Sequence, residues 1–123
     1  YKSRRMRKAL GGGMRQAGII AASGKIALEQ SIEQLYVDHN HAKYLAEEIN
    51  KIDYFNIEIE RIKTNILYFT ITNDKMNGTE FVQLMHDKGI KFFEVSKNKF
   101  RLVTHSGINH DDVTYVIEMF NAI

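Results

Sequence analysis

The chain has 123 residues, of which 44% are hydrophobic and 26% charged, and its formal net charge is +2. This composition is typical of one soluble globular domain, and no apolar run approaches the roughly 18 residues that a membrane span needs. The absence of cysteine excludes disulfides, thiolate nucleophiles and thiolate zinc sites. It also fits a reducing compartment, so we expect a cytoplasmic protein with no membrane partner.

The positive charge is concentrated at the start of the chain. Residues 1–15 carry six basic side chains and no acid, so the remaining 108 residues have a net charge of −4. A basic segment on an acidic body predicts an anionic partner, and nucleic acid, an acidic surface and a phosphate-bearing cofactor are all compatible with it. Because the chain begins with Tyr1, we expect it to be part of a longer protein.

The first third of the sequence is predicted to be helical. A short basic helix over 3–10 ends at the glycines 11–13, because three consecutive glycines cost too much backbone entropy inside a helix. A second helix, rich in small residues, runs from Met14 to about Gln30. A third helix follows Ser31 and has a one-sided stripe. The stripe consists of Ile32, Leu35, His39, Ala42, Ala46 and Ile49.

After Asp53 the apolar pattern changes from a helical period to alternation. The predicted strands cover residues 56–62, 65–72, 90–95 and 100–104. A helix between the second and third strands is capped by Asn77 and ends near Gly89. A final helix follows Asn109 and has acids in its first turn.

The order of the main elements, α-α-β-β-α-β-β-α, predicts an α/β (α+β) fold in two layers. We expect long N-terminal helices, followed by a small and mainly antiparallel sheet that helices cover. Residues 1–53 would hold the basic segment, the glycine-rich turn and the connecting helices. Residues 54–123 would form a small α/β subdomain within the same compact unit.

The glycine-rich segment is the first candidate site. Glycines 11–13 precede a predicted helix, so backbone N–H groups could approach a ligand there, and Lys8 and Arg15 add full positive charges. These features favour a phosphate-binding corner. The alternative is a flexible glycine hinge beside a solvated basic face. The segment is not a phosphate-binding loop of the nucleotide-hydrolysing type, because no Gly-Lys-Ser/Thr follows the glycines.

The second candidate is Arg101 on the last predicted strand. Alternation places Arg101, Val103 and His105 on one face of the sheet. An arginine beside an apolar residue suits a carboxylate held through two parallel hydrogen bonds. The alternative is a structural ion pair between Arg101 and Glu94 of a neighbouring strand.

The spacing of the five histidines does not match a metal-binding motif. His39 and His41 are two residues apart and cannot share a helix face, and the chain has no His-Glu-x-x-His. We therefore expect no bound metal, and we interpret His39 as a packing residue.

Three segments together resemble a known enzyme family. The run Arg7-Lys8-x-Leu10-Gly-Gly-Gly-Met14-Arg15-Gln16-Ala17-Gly18 resembles the hallmark segment of threonine aldolases. Similar matches occur at Asp38-His39-x-x-Ala42-x-x-Leu45-Ala46, and at Arg101-Leu102-Val103-Thr104-His105 followed by Asp111-Asp112-Val113. The resemblance covers essentially the whole chain, but only the C-terminal third of the family.

The resemblance implies the C-terminal small domain of an aspartate-aminotransferase-type fold and pyridoxal phosphate as the cofactor. It implies that Lys8 and Arg15 act near the cofactor phosphate, and that Arg101 binds the α-carboxylate of an amino acid. In the family the Schiff-base lysine lies before the matched segment, so we expect no catalytic residue in this chain and no activity from it alone. Ser106 departs from the family pattern, which suggests a different substrate preference.

The implied reaction is the cleavage of a threonine-like β-hydroxy-α-amino acid to glycine and an aldehyde, by a homo-oligomer. Two alternatives stay open. One is another lyase of the same fold with a different substrate. The other is a non-catalytic α/β module whose basic N-terminal helix binds nucleic acid, although the basic residues end at Arg15 and the body is acidic.

Overall fold

The computed structural model describes residues 1–73 and 76–123 and divides into two compact units, Tyr1–Ile32 and Glu33–Ile123. The subdivision after residue 53, within one compact unit, stays a prediction from the sequence. The structure groups most of the third helix with the sheet, because this helix contributes five buried residues to unit 2. They are Asp38, Ala42, Leu45, Ala46 and Ile49.

Unit 1 consists of two helices, α1 (Lys2–Ala9) and α2 (Gly18–Gln30), and all of its residues are exposed. The prediction that the second helix begins at Met14 is wrong. The backbone of Gln16 has a φ of 48°, in the left-handed region, and an α-helix cannot pass through that conformation. The helix therefore begins only after this residue.

Unit 2 contains three helices, four strands and one short 3₁₀ turn among its described residues. They are α3 (Ile32–Ile49, apart from its first residue), β1 (Phe55–Asn56), the 3₁₀ turn (Ile59–Arg61), β2 (Ile66–Ile71), α4 (Gly78–Asp87), β3 (Phe93–Ser96), β4 (Lys99–Val103) and α5 (His110–Asn121). No helix in the described part of the chain is long and apolar enough to cross a membrane.

The four strands form one antiparallel sheet in the order β1-β2-β4-β3. Alternate residues on the two central strands are buried, namely Leu67, Phe69 and Ile71 on β2 and Phe100 and Leu102 on β4. Their neighbours on the opposite face are exposed or half-buried. The sheet therefore has one face on the core and one open face.

Six phenylalanines form the centre of the core. The ring centroid of Phe69 lies 5.0 to 6.1 Å from those of the other five, and Phe69 itself is 1% exposed. The other five are Phe55, Phe81, Phe92, Phe100 and Phe120. Since Phe81 lies on α4 and Phe120 on α5, these rings fix both helices against the buried face of the sheet.

The predicted cap of α4 and the predicted start of α5 after Asn109 are confirmed. The Asn77 side chain accepts a hydrogen bond from the Thr79 backbone N–H at the start of α4, at 2.9 Å. At α5, Asn109 and Asp112 form a reciprocal capping box with distances of 3.0 and 2.9 Å. These bonds satisfy backbone donors that have no partner inside a helix.

The first predicted strand is much shorter than expected. Only Phe55 and Asn56 pair with β2, and the chain then forms the 3₁₀ turn. The Ile57 backbone N–H donates to the Asn50 side-chain oxygen at 2.8 Å instead of to a neighbouring strand. The alternation of isoleucines and glutamates thus reflects a turn whose apolar side chains pack at the edge of the core, not a strand.

The end of β4 is attached to α3 by a buried hydrogen bond. The Thr104 hydroxyl donates to the Asp38 backbone carbonyl at 2.6 Å, and the Asn65 side chain donates to the Thr104 carbonyl at 2.6 Å. Asp38 is 5% exposed, whereas Leu35 of the predicted apolar stripe is 49% exposed. The buried side of α3 therefore includes Asp38 and excludes Leu35, and the predicted packing residue His39 is half-buried.

Candidate functional site

The open face of the sheet carries the candidate site. Outward-facing residues alternate along the two central strands with the core residues. They are Ile66, Tyr68 and Thr70 on β2 and Lys99, Arg101 and Val103 on β4. This face combines apolar, aromatic and cationic side chains.

Arg101 lies in the middle of this face. Its Cα is paired with that of Tyr68 on β2 and with that of Phe93 on β3, so an aromatic residue flanks it on each side. Its Nε atom is buried and has no hydrogen-bond partner. Within residues 1–73 and 76–123, no acidic side chain forms an ion pair with it. A buried donor without a partner is costly, and a carboxylate would satisfy it.

The alternative partner of Arg101, Glu94, is used elsewhere. The Cα of Glu94 is paired with that of Phe100, not with that of Arg101. One carboxylate oxygen of Glu94 accepts a hydrogen bond from the Asn98 backbone N–H at 2.7 Å. The interpretation of Arg101 as a structural partner of Glu94 is therefore wrong, because Glu94 closes the turn between β3 and β4.

Lys99 is a second cation on the same face, which the sequence interpretation missed. Its Nζ lies 5.5 Å from the centroid of the Tyr68 ring, the geometry of a cation–π contact. Lys99 and Tyr68 line a pocket together with Arg61 and Glu58, which form an ion pair with each other at 2.8 Å. Alternation could have identified it, since Lys99 is two residues before Arg101 on the same strand and so lies on the same face.

The three glycines serve mainly to close helix α1. Gly11 has a φ of 84°, the left-handed conformation that glycine adopts most easily. The backbone N–H of Gly11 donates to the Lys8 carbonyl at 3.2 Å, and that of Gly12 donates to the Arg7 carbonyl at 2.8 Å. This pair of hydrogen bonds is the Schellman motif, which is common at the C-terminal ends of helices. Two of the three amides expected to face a phosphate are therefore bound within the chain.

The close packing of this turn explains why residues 12 and 13 are also glycines. A Cβ on Gly12 would lie 2.8 Å from Cγ of Arg7, and a Cβ on Gly13 would lie 3.0 Å from Cγ of Lys8. The expected position directly at a helix N-terminus is not found either, because α2 begins five residues after Gly13. Lys8 and Arg15 are exposed and belong to unit 1, whereas Arg101 belongs to unit 2.

Two histidines lie near each other beside α5. The ring centroids of His41 and His110 are 6.3 Å apart, and Nδ1 of His41 is buried without a hydrogen-bond partner. His110 also stacks on Tyr44 at 5.6 Å. In the part of the chain that the structure describes, no group of three or more histidine, aspartate or glutamate side chains is placed to hold a metal ion.

Sequence comparison relates the chain to one enzyme family. The model of the beta-eliminating lyase family matches residues 1–72. The "probable low-specificity L-threonine aldolase 2" of Arabidopsis thaliana is 36% identical over 123 residues, which are 99% of this chain and 35% of that protein. A low-specificity L-threonine aldolase of Escherichia coli is 30% identical over 118 residues, 96% of this chain and 33% of that protein. The chain thus spans about a third of the length of these curated relatives.

Comparison with solved structures shows the fold. A mutant of C-DES, with glycine covalently linked to its pyridoxal-phosphate cofactor, matches 72% of this chain and 23% of that chain with a TM-score of 0.62 and 12% identity. A NifS-like protein from Rickettsia africae matches 75% of this chain and 29% of that chain with a TM-score of 0.64 and 17% identity. The predicted α/β fold class and the resemblance to threonine aldolases are both confirmed.

Proposed function

The chain belongs to the beta-eliminating lyase family, and from this we propose that it provides the substrate-carboxylate site of a pyridoxal-phosphate-dependent lyase. The substrates would be threonine-like β-hydroxy-α-amino acids, which are cleaved to glycine and an aldehyde. The threonine aldolases among its relatives support this reaction. The observation that carries the proposal is the buried, unpartnered Nε of Arg101 on the open face of the sheet.

The cofactor proposal rests on the family and on the charges of this chain. Lys8 and Arg15 are exposed, and no ion pair in the described residues neutralises them, so they fit a phosphate group. The bound cofactor would supply a conjugated ring that delocalises the charge left on the α-carbon. We assign Lys8 and Arg15 to the phosphate by their side chains alone, since two glycine amides already bind within α1.

Arg101 would hold and orient the substrate. Its planar guanidinium can donate two N–H groups to the two oxygens of one carboxylate. Tyr68 and Phe93 on either side limit the directions from which a ligand can approach this group. A carboxylate fixed in this way leaves the substrate few orientations, and orientation is a major part of what a protein adds to cofactor chemistry.

The reaction is tested with the intact enzyme that would contain both this chain and the Schiff-base lysine, loaded with pyridoxal phosphate and incubated with threonine. We expect equal amounts of glycine and acetaldehyde, measured by chromatography and by a coupled reduction of the aldehyde. Release of ammonia and a keto acid from serine or cystine, without cleavage of threonine, would instead assign another lyase of the same fold.

The Schiff-base lysine would not be one of the lysines in residues 1–123, since none lies in the family motif that carries it. Incubation of this chain with pyridoxal phosphate and borohydride should therefore label no single lysine stoichiometrically. The products are measured by peptide mass spectrometry, with a protein of known Schiff-base lysine as the positive control. Clean labelling of one position would refute this assignment.

We also propose a cytoplasmic homo-oligomer, which the exposed apolar side chains of α2 support. Ile19 is 86% exposed and Ile26 53% exposed, and their spacing of seven places them on one side of the helix. We expect Ile19→Glu to shift the protein toward smaller species in sedimentation velocity. Gln30→Glu, which adds the same charge to α2 without removing an apolar group, should not. A wild-type protein that stays monomeric at high concentration would contradict the proposal.

A further inference from the structure

Two cations on strand β4 differ from every other described lysine and arginine. Lys99 and Arg101 are half-buried, whereas all other lysines and arginines in residues 1–73 and 76–123 are exposed. Neither of the two forms an ion pair with an acidic side chain in these ranges. Partial burial weakens the hydration of a cation, and two like charges on one face also repel each other. A ligand with two negative groups would relieve both costs.

The two cations lie on the same face of one strand. Lys99 and Arg101 are two residues apart on one strand, so their Cα atoms are about 6.6 Å apart and their side chains leave the same face. Tyr68 connects them, because its Cα is paired with that of Arg101 and its ring lies 5.5 Å from Nζ of Lys99. The side chain of Lys99 thus extends toward Tyr68 on β2, the residue paired with Arg101.

The remaining charges nearby do not neutralise Lys99. The pocket that it lines also contains Arg61 and Glu58, but these two pair with each other at 2.8 Å. The other lining residues are uncharged: Asn56, Ile62, Ile66, Tyr68 and Thr70. Among the residues that line this pocket, Lys99 is therefore the cation whose charge no acidic side chain neutralises.

We propose that the substrates of this site are β-hydroxy-α-amino acids with a second carboxylate on the β-carbon, such as 3-hydroxyaspartate. The proposal rests on the function proposed above, in which Arg101 binds the α-carboxylate. Lys99 then binds the side-chain carboxylate, which is separated from the first by two carbon atoms. Lys99 is a specificity-determining residue, because threonine has a methyl group where 3-hydroxyaspartate has this carboxylate.

The reaction needs no further reactant. The bond between the α- and β-carbons breaks, the β-hydroxyl loses its proton as its carbon becomes an aldehyde, and the α-carbon gains a proton. 3-Hydroxyaspartate therefore gives glycine and glyoxylate, with all atoms accounted for.

Binding is tested first, with L-aspartate and L-alanine as probes that differ only in the second carboxylate. Each is titrated into the ¹⁵N-labelled protein while the Nε–H signal of Arg101 is followed by NMR. We expect aspartate to bind about tenfold more tightly than alanine, the effect of one charge-assisted contact. Lys99→Met should remove this preference. Lys97→Met, which removes an exposed lysine from the adjacent turn, should retain it.

The outcomes separate this inference from the function on which it rests. Equal affinities for the two probes in the wild-type protein, or a preference that survives Lys99→Met, would overturn the assignment of Lys99 alone. If neither probe moves the Arg101 signal, the carboxylate site itself is wrong and both proposals fail.

Cleavage gives a second and independent measure. In the intact enzyme that contains this chain, loaded with pyridoxal phosphate, Lys99→Met should lower the ratio of kcat/KM for 3-hydroxyaspartate to kcat/KM for threonine about tenfold. Lys97→Met should leave the ratio unchanged. An equal fall of both kcat/KM values in Lys99→Met would show a structural effect and would overturn the proposal.

Discussion

Replacing Arg101 by lysine is expected to weaken substrate binding about 10- to 100-fold, while the protein stays folded. A planar guanidinium can contact both oxygens of a carboxylate, whereas an ammonium presents one compact charge. The loss of one charge-assisted contact costs about 1.5–3 kcal/mol, which corresponds to this range of affinities. Folding should change little, because lysine keeps the charge and a long apolar stem that can pack between Tyr68 and Phe93.

The measurement is steady-state cleavage of threonine and thermal unfolding on the same purified variant of the intact enzyme. Arg61→Lys is the matched control, since Arg61 is an exposed arginine whose ion pair with Glu58 lies at the surface. Such pairs contribute little, so this variant should behave like the wild type in both assays. Unchanged kinetics in Arg101→Lys would remove Arg101 from the site, and a large fall in Tm would make it structural.

Replacing Phe69 by alanine is expected to destabilise unit 2 by about 3–5 kcal/mol, the usual cost of removing a fully buried phenyl group. Phe69 is 1% exposed, and its ring contacts those of five other phenylalanines. The lost ring would leave a cavity at the point where α4, α5 and the sheet meet. A loss of this size is a large part of the stability of a small domain.

Urea unfolding followed by circular dichroism measures this free energy. Phe93→Ala is the matched control, because it removes the same ring from a position on the open face that is 69% exposed. Its effect on unfolding should be below about 1 kcal/mol. If both variants lost the same stability, the cluster around Phe69 would not be the centre of the core.

The parts of the fold that follow from local rules could be predicted from the sequence. Alternation alone placed Arg101 on the face of the strand opposite to Phe100 and Leu102, and this separation is the basis of the candidate site. The helix starts at Asn77 and Asn109 were also predictable, because capping depends on side chains within three residues of the helix end. These features need no knowledge of distant contacts.

The predictions from the sequence were wrong where a backbone group forms a hydrogen bond with a residue distant in the chain. Ile57 binds the side chain of Asn50, seven residues away, and this bond takes the chain out of the sheet despite its alternating pattern. Asp38 is buried, and its backbone carbonyl accepts the hydroxyl of Thr104, 66 residues later. A polar residue inside a helix gives no local sign of such a partner.

The glycine segment shows a different limit. The motif identified the family correctly, but the physical role first assigned to it was wrong in part. Gly11 and Gly12 direct their amides back to α1, since a helix end and an anion site both need glycine and accessible N–H groups. The same sequence pattern therefore predicts two structures, and only the hydrogen bonds distinguish them.

The two edges of the sheet have a consequence for how the protein behaves at high concentration. Exposed edges are templates on which strands of other molecules can assemble. Here one edge is β1, which pairs over only two residues, and the other is β3, whose register shifts between Glu94 and Ser96. This irregularity interrupts a segment whose exposed side chains, Phe93 and Val95, would otherwise favour intermolecular pairing. An irregularity in an edge strand disfavours pairing with other molecules, so removing one residue from it is expected to lower solubility more than stability.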